Sequence, residues 1–411
     1  MKQQRQADAA TAANGNGPDV PAFTLLRGGQ VFAPEPLGRE DVLIAGGRIV
    51  KVGPVDRAAL DRLGVETEVI DARGCVVAPG LIDPHQHLLG GSGEDGFSSA
   101  TPEFFLGEIA RAGITTVVGA LGVDTTMKTM PGLLAKVKAL REEGLNAYCW
   151  TGGYDLPPSS VLDTVRDDIL FIDEVIGAGE LAISDARALG APPEELARVA
   201  THCYVGGMLA RKAGLVHVHV GTGRGRLRPI RDALDGYDVE PCWFYATHVE
   251  RGEKLMDEAI ALARRGMPVD IDTVEQDLPK WLRYYRDGGG PMELLTLSSD
   301  ASINSPRVVL EQIRVCVWEH GHPLETVLAL ATRNTARILK LGHKGELKEG
   351  KAGDVLLLEE GSLEVVHVLS AGRVLVRDGR LVVGEPFLED SNREIRLVGE
   401  KVNAAEGGDG G

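Results

Sequence analysis

The chain has 411 residues, 43% of them apolar, with 44 basic against 60 acidic side chains and a formal net charge of −16. This apolar content is ordinary for a globular protein with a large core, and an acidic balance without a basic block argues against nucleic acid or an anionic membrane as a partner. No run approaches the roughly 18 apolar residues of a membrane span. The five cysteines (75, 149, 203, 242 and 316) are scattered without Cys-x-x-Cys spacing, as expected of reduced core thiols in a cytoplasmic protein.

Residues 1–19 are polar, rich in Ala, Asn and Gly, and lack an apolar h-region, so they read as a disordered tail and not as a signal peptide. From 20 to 77 the text is that of short strands with turns, at 23–26, 41–45, 48–52 and 68–71, interrupted by one helical stretch at 57–63. The same text returns over 344–400, at 354–358, 364–369, 373–376 and 380–383, before a second polar tail at 401–411. Neither half has much core of its own. The two are expected to pair into one small β-sandwich domain built from both chain ends.

Between them, 78–343 alternates. Apolar strand-like runs fall at 76–87, 115–121, 146–153, 180–185, 215–220, 242–249, 268–273 and 294–300. Helix-period segments lie between, as at 103–112, 130–143, 164–176, 193–213, 251–265 and 306–319. Eight strands alternating with helices predict an α/β fold, a (β/α)8 TIM-like barrel. A doubly wound open sheet is the second choice, but no Gly-x-Gly-x-x-Gly follows an early strand.

A barrel enzyme carries its reactive groups at the C-terminal ends of its strands. His85 and His87 end the first strand, where a spacing of two sends both imidazoles to one side. Tyr154 follows the third, Glu180 opens the fourth and Ser184-Asp-Ala-Arg187 closes it. His219 ends the fifth, His248 the sixth and Asp300 the eighth. Any one of these has a plain alternative: a lone core histidine is more often packed than ligating, and Asp300 could cap a helix. Together, four histidines, an aspartate and a glutamate over-supply one metal and suit two that share a carboxylate. His217, on the face of His219, is ranked structural, and His202, His320, His322, His343 and His367 are given no role.

With these positions in hand, the chain resembles the metal-dependent amidohydrolase superfamily, most closely its isoaspartyl dipeptidases. The segments that carry the resemblance are Pro79-Gly-Leu-Ile-Asp-Pro-His-Gln-His87, Gly90-Gly-Ser-Gly-Glu94, Thr151-Gly-Gly-Tyr154, Ala182-Ile-Ser-Asp-Ala-Arg187, Thr247-His-Val-Glu-Arg251 and Leu297-Ser-Ser-Asp300. The resemblance implies zinc-dependent hydrolysis of the isopeptide bond of β-aspartyl dipeptides by a hydroxide bridging two zinc ions. His85, His87 and Asp300 would hold one ion, and His219 and His248 the other. Asp300 would move the proton and Tyr154 would bond the scissile carbonyl. Glu94 would meet the substrate amine, and Arg187 and Arg251 its carboxylates. The family's substrate-binding serine is blurred into Asn304-Ser305 here, which makes Ser305 the candidate.

One departure bears on the metal centre. Where the family bridges its ions with a CO2-carboxylated lysine, this chain has Glu180, preceded by Gly177-Ala-Gly179. A glutamate carries the same charge on a shorter arm, so Glu180 is expected to bridge, with no carboxylated lysine. Alternatives are a cyclic amidase of the dihydroorotase or hydantoinase type, a lactonase or esterase, and a non-catalytic barrel scaffold. The expected partner is a small dipeptide substrate; such barrels commonly form homo-oligomers, although no sequence feature sets a subunit number.

Overall fold

The computed structural model describes residues 21–91, 93–188, 190–386 and 392. Both expected tails, and most of 387–400, lie outside the described residues. The chain opens with five strands, β1 (Phe23–Phe32), β2 (Pro36–Ala45), β3 (Arg48–Val52), β4 (Thr67–Asp71) and β5 (Cys75–Pro79). Near its other end come β14 (Val355–Glu359), β15 (Val365–Ser370), β16 (Arg373–Arg377) and β17 (Arg380–Leu381). All nine join one mixed sheet, in which β5 pairs antiparallel with β14 and parallel with β1. The sheet curls round aliphatic side chains from both chain ends, among them Val31, Ile49, Val77, Val355 and Leu357. Neither end could bury these alone.

The intervening chain forms eight parallel strands: β6 (Leu81–Gln86), β7 (Ile114–Gly119), β8 (Asn146–Thr151), β9 (Val175–Ile183), β10 (Leu215–Val220), β11 (Phe244–Thr247), β12 (Val269–Asp272) and β13 (Leu295–Ser298). They pair in sequential order, and a bridge between Gln86 and Ala301 draws the first strand to the end of the last. The strands other than β8 are buried along their length, and β8 is partly exposed only at Asn146 and Tyr148, as expected where side chains fill the barrel and helices cover its outside. Ile82, Val118, Trp150, Ile176, Leu215 and Tyr245 pack inside, continuous with Ile338 and Leu341 below. The nearly closed barrel thus has a plugged floor, and its charged groups gather at the other end.

The expected architecture is present, with three local differences. The run 76–87 is two strands, β5 in the mixed sheet and β6 in the barrel. Gly80 between them sits where an added Cβ would come within 2.2 Å of Thr115 Oγ1. The fourth barrel strand begins at Val175 and not at 180, and the helix before it ends at Phe171. Gly177 and Gly179, which precede the expected strand, lie within the observed one, and that strand is buried throughout. Cys242 is exposed, whereas the other four cysteines are buried. Among the described residues no helix is long and apolar enough to cross a membrane.

Candidate active site

Three strand ends bring the four histidines together. β6 delivers His85, fully buried, and His87 just beyond it. β10 delivers His219, and His248 follows β11. His248 has φ +63° and Asp300, after β13, φ +45°. Left-handed conformations are uncommon in residues other than glycine and concentrate at functional sites.

Glu180 lies at the centre. Its Oε2 is 3.1 Å from His219 Nδ1, 3.5 Å from His85 Nε2 and 3.6 Å from His248 Nε2, while Oε1 is 3.4 Å from His87 Nε2. Asp300 Oδ1 closes the other side, 3.1 Å from His87 Nε2 and 3.5 Å from His85 Nε2. One carboxylate therefore stands between two pairs of imidazoles, with a second facing one pair.

A local irregularity of β9 brings Glu180 there. Ala178 pairs with Val216 and Leu181 with Val218, so β9 takes three steps where β10 takes two. The extra residue is a β-bulge, which bends a strand and re-aims a side chain. Gly179 has φ +151°, and a Cβ on it would lie 2.6 Å from His217 O. Glycine is required by sterics as well as by conformation. The sequence posed the problem of a bridging arm about three atoms shorter than a carboxylated lysine, and the bulge is a backbone shift at the position where one is needed.

The residues present fit metal ions. Both ring nitrogens of His85 and Oε1 of Glu180 are buried without a hydrogen-bond partner, a costly arrangement for polar atoms unless an ion meets them. Burial alone would lower the His85 pKa, yet Glu180 and Asp300 outweigh it and push it up to about 10. His248 is likewise lowered by burial but pushed up to about 9 by Asp272 and Glu180. The cluster of acids demands positive charge and draws protons onto imidazoles to obtain it. Imidazole nitrogen with carboxylate oxygen suits a zinc-type divalent cation. Three donor groups have ligand atoms within 4.8 Å of one another: His85, His87 and Glu180; Glu180, His219 and His248; His248, Asp272 and Asp300.

Two aspartates that sequence reasoning passed over orient these imidazoles. His248 Nδ1 lies 2.6 Å from Asp272 Oδ2, so a proton donated there leaves Nε2 free toward Glu180. His219 Nε2 lies 3.1 Å from Asp185 Oδ2 and 3.2 Å from both Arg187 Nη2 and Arg251 Nη1, with Nδ1 turned toward Glu180. Asp272 ends β12, so the strand-end rule pointed to it. His217 is buried, stacked on Trp150 and edge-on to His85, with ring centroids 5.0 and 4.8 Å away. Of the other histidines given no role, none joins a donor group among the described residues.

A cavity of about 600 Å³ opens over the cluster, and Glu94, Tyr154, Arg187 and Arg251 all line it. Tyr154 Oη is 3.0 Å from His219 Nδ1. Burial, reinforced by the charge on Glu180, raises the phenol pKa well above its usual value and keeps it protonated. Arg187 donates from Nη1 to both Glu94 oxygens at 3.0 and 2.9 Å, and from Nε and Nη2 to Asp185 at 3.0 and 2.9 Å. Arg251 Nη1 donates to Val220 O at 2.8 Å. Ser305 is not brought in: it is exposed and accepts a bond from Arg307 N. Asn304 folds back onto the Ser299 carbonyl, leaving Ser302 on the cavity wall in its place.

An enclosed cluster of imidazoles and carboxylates at the mouth of a parallel barrel, with a small β domain on the chain ends, defines a metal-dependent hydrolase. Residues 76–375 match the Amidohydrolase family model, and the chain belongs to that family. It is similar to the β-aspartyl dipeptidase of Fervidobacterium islandicum AW-1, solved in complex with the β-Asp-Leu dipeptide, at 35% identity and a TM-score of 0.82, covering 88% of this chain and 98% of that one. It is also 26% identical to adenine deaminase 2 of Rhizobium meliloti (strain 1021), over 87% of this chain and 60% of the deaminase. The chain thus spans about three fifths of the length of the first curated relatives it matches. Atrazine chlorohydrolase from Arthrobacter aurescens TC1, at 19% identity and a TM-score of 0.60, shares the fold.

Proposed function

We propose that the protein hydrolyses the isopeptide bond of β-aspartyl dipeptides at a centre holding two zinc ions. The observation that carries this reading is the ring of charged side chains round the donor cluster: Glu94, Lys128, Arg187 and Arg251 line the same cavity as His87, Glu180 and Asp300. A β-aspartyl dipeptide brings one ammonium and two carboxylates, which such a wall can hold by charge-assisted bonds. Likeness to a β-aspartyl dipeptidase over nearly that enzyme's full length supports the same substrate class.

His85, His87 and Asp300 would hold one cation and His219 and His248 the second, with Glu180 between them. Cations so held supply a water of lowered pKa and a polarised carbonyl. Asp300 accepts the water's proton and passes it to the departing amine, which leaves poorly without one. Its carboxyl is placed for the first transfer, with Oδ1 beside the His85 and His87 nitrogens that would hold the cation. The Tyr154 phenol donates a hydrogen bond to the oxygen that gains charge. Glu94 meets the substrate amine, and the fixed cations of the wall hold the carboxylates.

Adenine deamination is the second reading, favoured by the curated relatives. Adenine is uncharged, and a wall with this many ionised groups offers it little. The test is a turnover screen of β-aspartyl dipeptides, α-aspartyl dipeptides, adenine and cyclic amides, with metal content measured alongside. Cleavage of the β-aspartyl compounds at least 100-fold faster than the rest is expected. Faster turnover of adenine or a cyclic amide would replace this reading, and a preparation free of bound metal that still cleaves would remove the proposed centre.

A further inference from the structure

Arg187 is heavily committed within the cavity wall. A guanidinium has five N–H donors, and four of its hydrogen bonds already run to the carboxylates of Asp185 and Glu94. Its charge is therefore offset by two acids before any substrate arrives. Two other cations line the cavity, Arg251 and Lys128, and neither makes an ion pair within 4.0 Å of a described residue. They stand on opposite flanks. Arg251 lies beside His219 and Val220 at the end of β10, whereas Lys128 lies in the loop after β7, against the glycines that follow His87.

Lys128 is also held ready. Its Nζ donates to the carbonyls of Gly90 and Gly91; an ammonium has three donors, so one remains. The loop that carries it is fixed on both sides. Asp124 Oδ1 accepts from Thr126 N at 3.0 Å and from Met127 N at 2.8 Å, and Thr129 caps the next helix through Gly132 N. A half-buried ammonium on a rigid loop, lowered in pKa by burial, gains from a carboxylate partner more than an exposed lysine would.

We propose that Lys128 is a substrate-binding residue that holds one of the two carboxylates of the dipeptide, while Arg251 holds the other across the metal cluster. This rests on the β-aspartyl dipeptidase reading above and divides the carboxylate-binding role between two flanks. Arg187 then acts as a positioning residue that orients Glu94 for the substrate amine.

The test uses the zinc-loaded full chain and three substrates: β-Asp-Leu, its C-terminal amide, and the analogue amidated at the α-carboxyl of the aspartyl unit. Lys128→Met is expected to lower kcat/KM for β-Asp-Leu by roughly 10- to 100-fold, mainly through KM, the size of a lost charge-assisted bond. On one amide, and one only, the variant and the wild type should differ less than 3-fold, because that substrate has already lost the partner of Lys128. Lys128→Arg should restore most of the loss. Each comparison is made within one preparation, so partial unfolding cancels. An equal loss on all three substrates would show that Lys128 only fastens the Gly90–Gly91 turn and would overturn the proposal, as would no loss at all. If the wild type fails to cleave β-Asp-Leu, the dipeptidase reading fails first and this assignment goes with it.

Discussion

The mouth of the barrel and the core of the small β domain are both almost dry, yet they are built by opposite rules. The β domain buries Val31, Ile49, Val77 and Leu357 at 0% exposure, each an aliphatic side chain that gains by leaving water. The mouth buries His85 at 0%, Glu180 and His248 at 1% and Asp272 at 4%, groups that lose solvation and repel or attract one another strongly. Where the β domain meets the N-terminal ends of the barrel strands, opposite the mouth, Lys344 and Asp354 are buried as a pair 2.5 Å apart, and Asp354 also accepts from Asn146 and the Ala371 amide. There the charges satisfy each other. In the mouth they do not, and the shortfall of positive charge is what a metal makes good. The aliphatic core and the barrel floor supply the rigidity that holds the unsatisfied set in place.

The largest break in this contrast is expected from Asp300→Asn. Removing the acid proposed to carry the proton should lower kcat by about 10²- to 10⁴-fold, while most of the metal the site takes up should be retained because His85, His87, Glu180, His219 and His248 remain. Thermal stability should fall somewhat, since the imidazoles that hold the Asp300 pKa lowered stabilise its ionised form in the fold. Steady-state kinetics with metal analysis and a melting curve on one sample decide it. Unchanged kcat would take the proton-carrying role away from Asp300.

The mirror experiment is Leu357→Ala. This side chain is fully buried in the β domain, far from any donor group. Its truncation should cost about 2–5 kcal/mol of stability and leave kcat and KM at 25 °C within 2-fold of the wild type. Urea unfolding and kinetics measure the two halves. A large loss of kcat in a still-folded sample would mean that the β domain shapes the mouth directly.

The same contrast explains how much could be read from the sequence. The alternation that made the barrel legible rests on buried strands at regular spacing, and the strand-end rule then located His85, His87, His219, His248 and Asp300 without any knowledge of contacts. Asp272 ends β12 and satisfied the same rule, but it was not singled out. Glu180 was singled out although its strand was started five residues late: glycines interrupt the apolar run around Ala178, and in three dimensions they form a bulge within the strand. Ser305 and Lys128 show where the method stops. Both lie in loops, where the direction of a side chain depends on local hydrogen bonds such as those of Asn304 and Asp124, and no periodicity records those.

The smallest expected effect is none at all, and it sharpens the contrast most. A lysine-bridged centre must acquire CO2 on its amine before it carries the bridging charge, so its refilling with zinc depends on bicarbonate. Glu180 has no amine, and its carboxylate is held ionised: burial would raise its pKa, but His85 and His219 lower it well below the usual range. After chelation, activity regained on adding zinc should follow the same time course with bicarbonate present or rigorously withheld. A bicarbonate requirement would mean that some lysine supplies the bridge and that the bulge at Gly179 serves another purpose. Independence would make the bulge and the glutamate a single device, in which backbone geometry supplies the reach that the shorter side chain lacks.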